Sequence, residues 1–199
     1  MKRAHIVSLC LIIILITCSA ELSFAQRWLQ VATSDFKWEG DFWKAELGAF
    51  AADFFTQSFR IRRSSFYQDW NFLDLELANK LLSERGVEQA FDADPRQITD
   101  AFWVRNVRLF FAGHIEKMVQ TADVDGSVQL RIRLELKIFD VQNGYELSTD
   151  WIENRIRLEK KIQPGDPFDK DLARKLLSGV FNRAESTVSN ALSRARIRP

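Results

Sequence analysis

The chain has 199 residues, with 28 Lys and Arg against 27 Asp and Glu and a formal net charge of +1. A balance so close to neutral excludes the broad basic footprint of a nucleic-acid binder and offers no net field to a strongly anionic partner. Sixteen Phe, six Trp and two Tyr make the chain aromatic-rich, which reads as an aromatic core or, alternatively, as a protein–protein surface.

Met1 to Ala25 has the three parts of a secretory leader. Lys2 and Arg3 start it, Ile6 to Ile16 is apolar apart from Ser8 and Cys10, and Ser23-Phe24-Ala25 is a small-x-small cleavage site before Gln26. The apolar run is short for a bilayer span and has no charged stop. A rival reading takes Leu15-Ile16-Thr17-Cys18 as a lipoprotein site with Cys18 acylated, but Thr17 stands where a smaller residue is usual. Plain cleavage is therefore the preferred expectation, and export follows from both. Loss of residues 1–25 with Lys2, Arg3 and Glu21 takes the charge to 26 basic and 26 acidic residues and removes both Cys10 and Cys18. No transmembrane segment is expected in the mature chain. Residues 26–199 must then stabilise themselves without disulfides, which a core of this length can do.

From Arg27 to Trp38 the pattern predicts a strand, with Leu29, Val31, Phe36 and Trp38 apolar, interrupted at Glu39-Gly40-Asp41. A helix follows from Asp41 with Trp43, Leu47, Phe50 and Phe54 on one face. Phe59-Arg60-Ile61-Arg62 alternates and predicts a short strand to about Tyr67. A second helix is expected from Asp69 to Arg85, with Leu73, Leu77 and Leu81 as its stripe and Gly86 past its end. Asp94-Pro95 begins a short helix to Ala101.

Trp103 to Val119 reads as a strand, with Val107, Leu109, Phe111 and Ile115 in one register. Asp123-Val124-Asp125-Gly126 turns into the stretch that organises the chain, Gln129 to Asp140. There Leu130, Ile132, Leu134, Leu136 and Ile138 fall on one side, and Arg131, Arg133, Glu135 and Lys137 on the other. Asn143-Gly144 marks a hairpin into a third strand, Leu147 to Ile162, with Ile152, Asn154, Ile156 and Leu158 on one face. The outward face then carries Arg105, Arg108, Arg131, Arg133, Arg155 and Arg157 among Glu116, Glu135 and Glu153. It reads as a solvated sheet face or as one that meets another subunit. Gln163 to Pro167 breaks the pattern, and a closing helix carries Leu172, Leu176, Val180, Ala184, Val188 and Ala191. The fold class expected is α+β, a mixed sheet with an antiparallel three-strand meander packed on two to three helices, in one domain over 26–199.

Residues that carry chemistry are sparse. His114 is the sole histidine after the leader, and no phosphate loop, nucleophile elbow or zinc-protease motif occurs. Asp123-Val124-Asp125-Gly126-Ser127 starts like a calcium loop but lacks the later ligands, so a turn explains it. No metal, cofactor or catalytic residue is assigned, and a non-enzyme is expected. The interface candidates are Trp28, Trp38 and Trp70 near element ends, together with Arg131, Arg133 and Glu135 on the charged face.

Three stretches resemble a known family: Phe102 to Ile115, an apolar strand with a Gly-x-Ile step; Leu134 to Leu147, a strand, Asp-Val, Gly and return strand; and the helix from Asp171 to Leu192. They are similar to the α/β module shared by the TolB amino-terminal region, the curli secretion protein CsgG and the middle domain of the flagellar H-ring protein FlgT. The propeller of TolB, the membrane hairpins of CsgG and the flanking domains of FlgT have no counterpart here. The resemblance implies a non-catalytic periplasmic module, of the flagellar or secretion-associated kind, that docks onto other envelope proteins as a homo-oligomer or ring component. A monomeric accessory or binding module is the alternative it leaves open.

Overall fold

The computed structural model describes residues 28–44, 46–61, 69–122, 124 and 127–195. The leader with Cys18, the expected strand beyond Ile61 and most of the Asp123–Ser127 turn lie outside the described residues.

Alternation in the organising stretch holds. Leu130, Ile132, Leu134, Leu136 and Ile138 are all fully buried along strand β5 (Val128–Asp140), while the residues between them are half-buried. Strand β4 (Leu109–Ala122) and strand β6 (Tyr145–Leu158) flank β5 antiparallel, which is the expected meander. A bulge in β4 between Ile115 and Lys117 shifts the register by one and leaves Glu116 over the outer face. Strand β1 (Trp28–Thr33) runs parallel to β4 and, on its other side, to strand β3 (Asp69–Phe72). The sheet order is β3-β1-β4-β5-β6, and the two-residue strand β2 (Lys37–Trp38) pairs farther along β4. The first expected strand is thus two segments on one line. The gap between them lets the Phe36 ring cross Gly113, where a Cβ would lie 2.3 Å from that ring.

Two helices cover one face of the sheet: α1 (Leu47–Ile61) and α4 (Lys170–Arg194). With the inward residues of β4, β5 and β6 they form the larger core. Helix α4 approaches β6 closely at Gly179, where an added Cβ would lie 2.2 Å from Asn154 Nδ2. Asn154 is buried there and donates to the Leu176 carbonyl at 2.7 Å, so its amide is satisfied. Helix α2 (Leu75–Ser83), helix α3 (Pro95–Phe102) and the 3-10 turn Ala90–Asp92 cover part of the opposite face. A second core lies beneath them, with Ala78, Leu82, Phe91, Ile98 and Phe102 against Phe110, Ala112 and Phe139. The result is one α+β domain with, among the described residues, four α-helices rather than two to three.

Three expectations are corrected. The first helix begins at Leu47, not Asp41, because Trp43 takes a left-handed φ of 52° and its carbonyl accepts from Leu47 N at 3.0 Å in the turn before the helix. Residues 59–61 continue α1 and are not a strand, because Phe59 follows Phe55 at helical spacing and both bury on the same side. The second helix begins at Leu75, not Asp69. Trp70 and Phe72 turn inward from β3, and Asp74 caps the helix by accepting from Leu77 N at 3.0 Å. The Asp94-Pro95 reading holds, with a full capping box from Asp94 and Gln97. At the hairpin only Gly144 takes a positive φ, of 69°, and the turn spans 141–144. Asp140 organises it by accepting from Asn143 N and Nδ2 and pairing with Arg108 at 2.9 Å.

Candidate interaction surface

The smaller core covers the outer sheet face only from Lys137 onward, where the Lys137 ammonium sits 4.1 Å from the centre of the Phe91 ring and donates to the Phe91 carbonyl. From Gln129 to Glu135 that face has no helix over it among the described residues. Its centre is Arg133. The guanidinium carbon lies 4.1 Å from the Trp151 ring centre, and Glu116 and Glu153 flank it at 3.3 and 3.9 Å. Arg133 Nε is buried and has no hydrogen-bond partner. Trp151 is 42% exposed. A planar cation stacked on an exposed indole, ringed by half-exposed carboxylates, presents the residue types that anchor protein contacts.

The free edge of β6 competes poorly for the same role. Leu147 and Glu153 carbonyls accept from Arg194 and Arg183 of α4, and Trp151 N donates to Asp150 Oδ1 at 2.8 Å. Thr187 Oγ1 in turn donates to Asp150 Oδ2 at 2.5 Å. Side chains from the covering helix, and Asp150 of β6 itself, thus occupy groups that would otherwise template another strand. The face, not the edge, is what β6 offers.

Arg131, Arg133 and Glu135 are on this face together, as their alternation indicated. The tryptophans do not join them. Trp70 is only 9% exposed and stacks on Phe59 and Phe111, so it is a core residue and not an interface anchor. Trp38 is half-buried; it donates to the Phe42 carbonyl at 2.7 Å, and its ring fills the space a Cβ at Gly40 would need. That contact closes its own turn. Trp28 opens β1, but its side chain lies outside the described residues. Arg105 and Arg108 also leave the expected face. Arg105 ends the 3-10 turn Trp103–Arg105, and Arg108 pairs with buried Asp140. The sequence reading misses Trp151, although it alternates with Glu153 and Arg155 and so had to share their face. It also misses Trp103 and Val104, 59% and 82% exposed, whose place in a strand pattern concealed a turn.

His114 lies at the border of the covered and uncovered halves, its ring 5.0 Å from Phe91 and its backbone opposite Glu135. Burial lowers its pKa from the usual histidine value, and the nearby Lys37 ammonium adds to that. Lys37 is shifted upward, chiefly by its hydrogen bond to Asp92 at 2.7 Å. Because the folded state holds His114 neutral, the unfolded chain takes up the proton first as pH falls. Stability is therefore whole above the ordinary histidine range and declines as pH drops from about 6.5 toward the lowered value. His114→Gln should flatten that slope in urea titrations between pH 7 and 5; an unchanged slope would assign it to other groups.

No protein-family model and no curated protein matches the chain. Among solved structures it is similar to the hypothetical protein CT253 from Chlamydia trachomatis, at 13% identity and a TM-score of 0.49, covering 80% of this chain and 96% of that one. It is also similar to a PelC dodecamer from Paraburkholderia phytofirmans, at 15% and 0.42 over 83% and 89%. The lipoprotein GNA1162 from Neisseria meningitidis gives 11% and 0.44 over 79% and 98%. At these values the likeness is one of general chain path. The TolB, CsgG and FlgT resemblance stays one of element order.

Proposed function

We propose that this chain is an exported, non-catalytic module of the bacterial envelope that works by holding a protein partner on the uncovered half of its outer sheet face. The observation that carries the reading is the Arg133–Trp151 stack between Glu116 and Glu153, set on the face of the meander with no helix above it among the described residues. The leader-like Met1–Ala25 segment supports export, to the periplasm and association with an envelope assembly. A flagellar or secretion-associated machine, built partly of copies of this chain, is the finer form of the proposal.

The test is made in the source cell. With Trp151→benzoylphenylalanine in the full chain, illumination should yield a covalent adduct with a second polypeptide in the envelope fraction. Trp151→Ala should reduce recovery of that partner at least about tenfold, the scale of an aromatic interface anchor. A chain that stays in the cytoplasm, or an exported chain that gives no adduct, overturns the reading.

A further inference from the structure

The uncovered face is sorted by charge along its strands. The register sets Gln129 beside Arg157, Arg131 beside Arg155, Arg133 beside Glu153 and Glu135 beside Trp151. Like charges directly opposite one another on adjacent strands are destabilising, yet Arg131 faces Arg155, and neither has an ion-pair partner among the described residues. The next two rows reverse the sign. Glu116 from the β4 bulge and Glu153 flank Arg133, Glu135 follows in the next row, and Lys117 stands opposite Arg133 on β4. Among the described residues of these rows, the half with Arg131 and Arg155 carries no acid, while the other half carries Glu116, Glu135 and Glu153 against Arg133 and Lys117.

We propose that the occupant of this face is a second copy of the same chain, laid face to face with its strands antiparallel. This rests on the reading that the face binds protein, and it names the partner. A two-fold axis lying across the strands, between the Arg131 and Arg133 rows, places Arg155 over the partner's Glu153 and Arg157 over the partner's Trp151. It sets Gln129 over the partner's Glu135. Arg131 comes over the partner's Arg133, the one like-charged contact, and there the partner's Glu116 and the partner's Glu153 lie to either side to receive it. Every such contact occurs twice, as a two-fold interface requires. Each copy brings its acidic rows to the Arg131–Arg155 pair of the other and takes the same in return. A partner of a single sign would satisfy one half of the face and repel the other.

The size of the face sets the strength. Four rows on three strands, at about 3.3 Å per residue and 4.8 Å between strands, cover roughly 400 Å². That is about half of what a standard stable interface buries per partner, so the dimer is weak, reversible and weakened by salt.

Sedimentation equilibrium of the full chain up to millimolar concentration reads this directly. The parent protein should show a monomer–dimer equilibrium that shifts toward monomer as NaCl is added. Arg131→Glu with Arg155→Glu, and separately Glu135→Arg with Glu153→Arg, should each raise the dissociation constant at least about tenfold. An equimolar mixture of the two variants should regain the dimer, because each then supplies the charges the other has lost. Circular dichroism of each variant confirms that it is folded. A parent protein that stays monomeric, variants that dimerise as well as it does, or a mixture that stays monomeric would each overturn the self-contact. If the position-151 adduct in cells is nonetheless with a different polypeptide, the protein-binding face stands and only its occupant is wrong. If that adduct is missing too, both readings fail.

Discussion

Leu134→Asp should abolish the folded state, whereas Arg133→Asp should leave it close to intact. Leu134 is fully buried midway along β5, where it faces both flanking strands' inward residues: Ile115 across β4 and Ile152 across β6. The carboxylate would enter the larger core with no donor placed to receive it. Its burial without a partner costs several kcal/mol beyond the lost leucine packing, against a total stability of roughly 5–15 kcal/mol for a domain. Arg133 is one residue away but half-exposed, and its ion pairs with Glu116 and Glu153 are of the surface kind, worth about 0–1 kcal/mol. Far-UV circular dichroism and urea titration check both. Two variants equally destabilised would mean that the outer face is as dry as the inner one.

Phe55→Ala is expected to cost about 3–5 kcal/mol, the range for removing a buried phenylalanine. Phe55 is fully buried in α1, and its ring centre lies 4.5 to 6.4 Å from those of Phe36, Phe59, Phe72, Phe111 and Phe181. Those five rings belong to the β1–β2 connection, α1 itself, β3, β4 and α4, so one cavity would loosen four elements and a linker together. They cannot all close on it without breaking the hydrogen bonds that fix their own strands and helices. Phe50 sits about one and a half turns earlier and is only half-buried, stacked on Phe54 at 6.0 Å and edge-on to Phe168. Phe50→Ala should therefore cost less than half as much. Thermal melts of the two variants make the comparison, and a Phe50 effect equal to that of Phe55 would place the helix's core face elsewhere.

Phe55 also marks where a local pattern stops being informative. Leu47, Phe50 and Phe54 lie at helical spacing, and that spacing marks a helix with an apolar face, although Trp43 at the same spacing stays in the turn before it. The spacing does not say which edge of a wide apolar stripe points at the sheet. Both Phe54 and Phe55 are apolar, and only the seat of α1 between β3, β4 and α4 puts Phe55 at the centre. The same ambiguity lies behind Phe59-Arg60-Ile61-Arg62. Four alternating residues satisfy a strand, yet Phe59 also continues the helix from Phe55, and the ring contact at 4.5 Å decides between them. Asp69 to Phe72 was hidden for a different reason. A four-residue parallel strand has too little local signal of its own and takes its identity from β1, whose backbone pairs with it from Trp28 to Val31.

Neighbouring residues alone are enough to specify the antiparallel meander, its inward and outward faces, the capped helix at Asp94-Pro95, the long closing helix, and the placing of Arg131, Arg133 and Glu135 on one surface. Period-two alternation, caps and turns are all short-range properties, so each is written in a few consecutive positions. Long-range packing settles the rest. It makes β1 and β3 pair in parallel, brings α2 and α3 over one half of the outer face while no described helix reaches the other, and turns Trp70 into core while Trp151 is surface. It also gathers Arg133, Trp151, Glu116 and Glu153 at one point. Those outcomes depend on which distant segment arrives at each side of a strand, and the chemistry of a residue does not encode what will be brought against it.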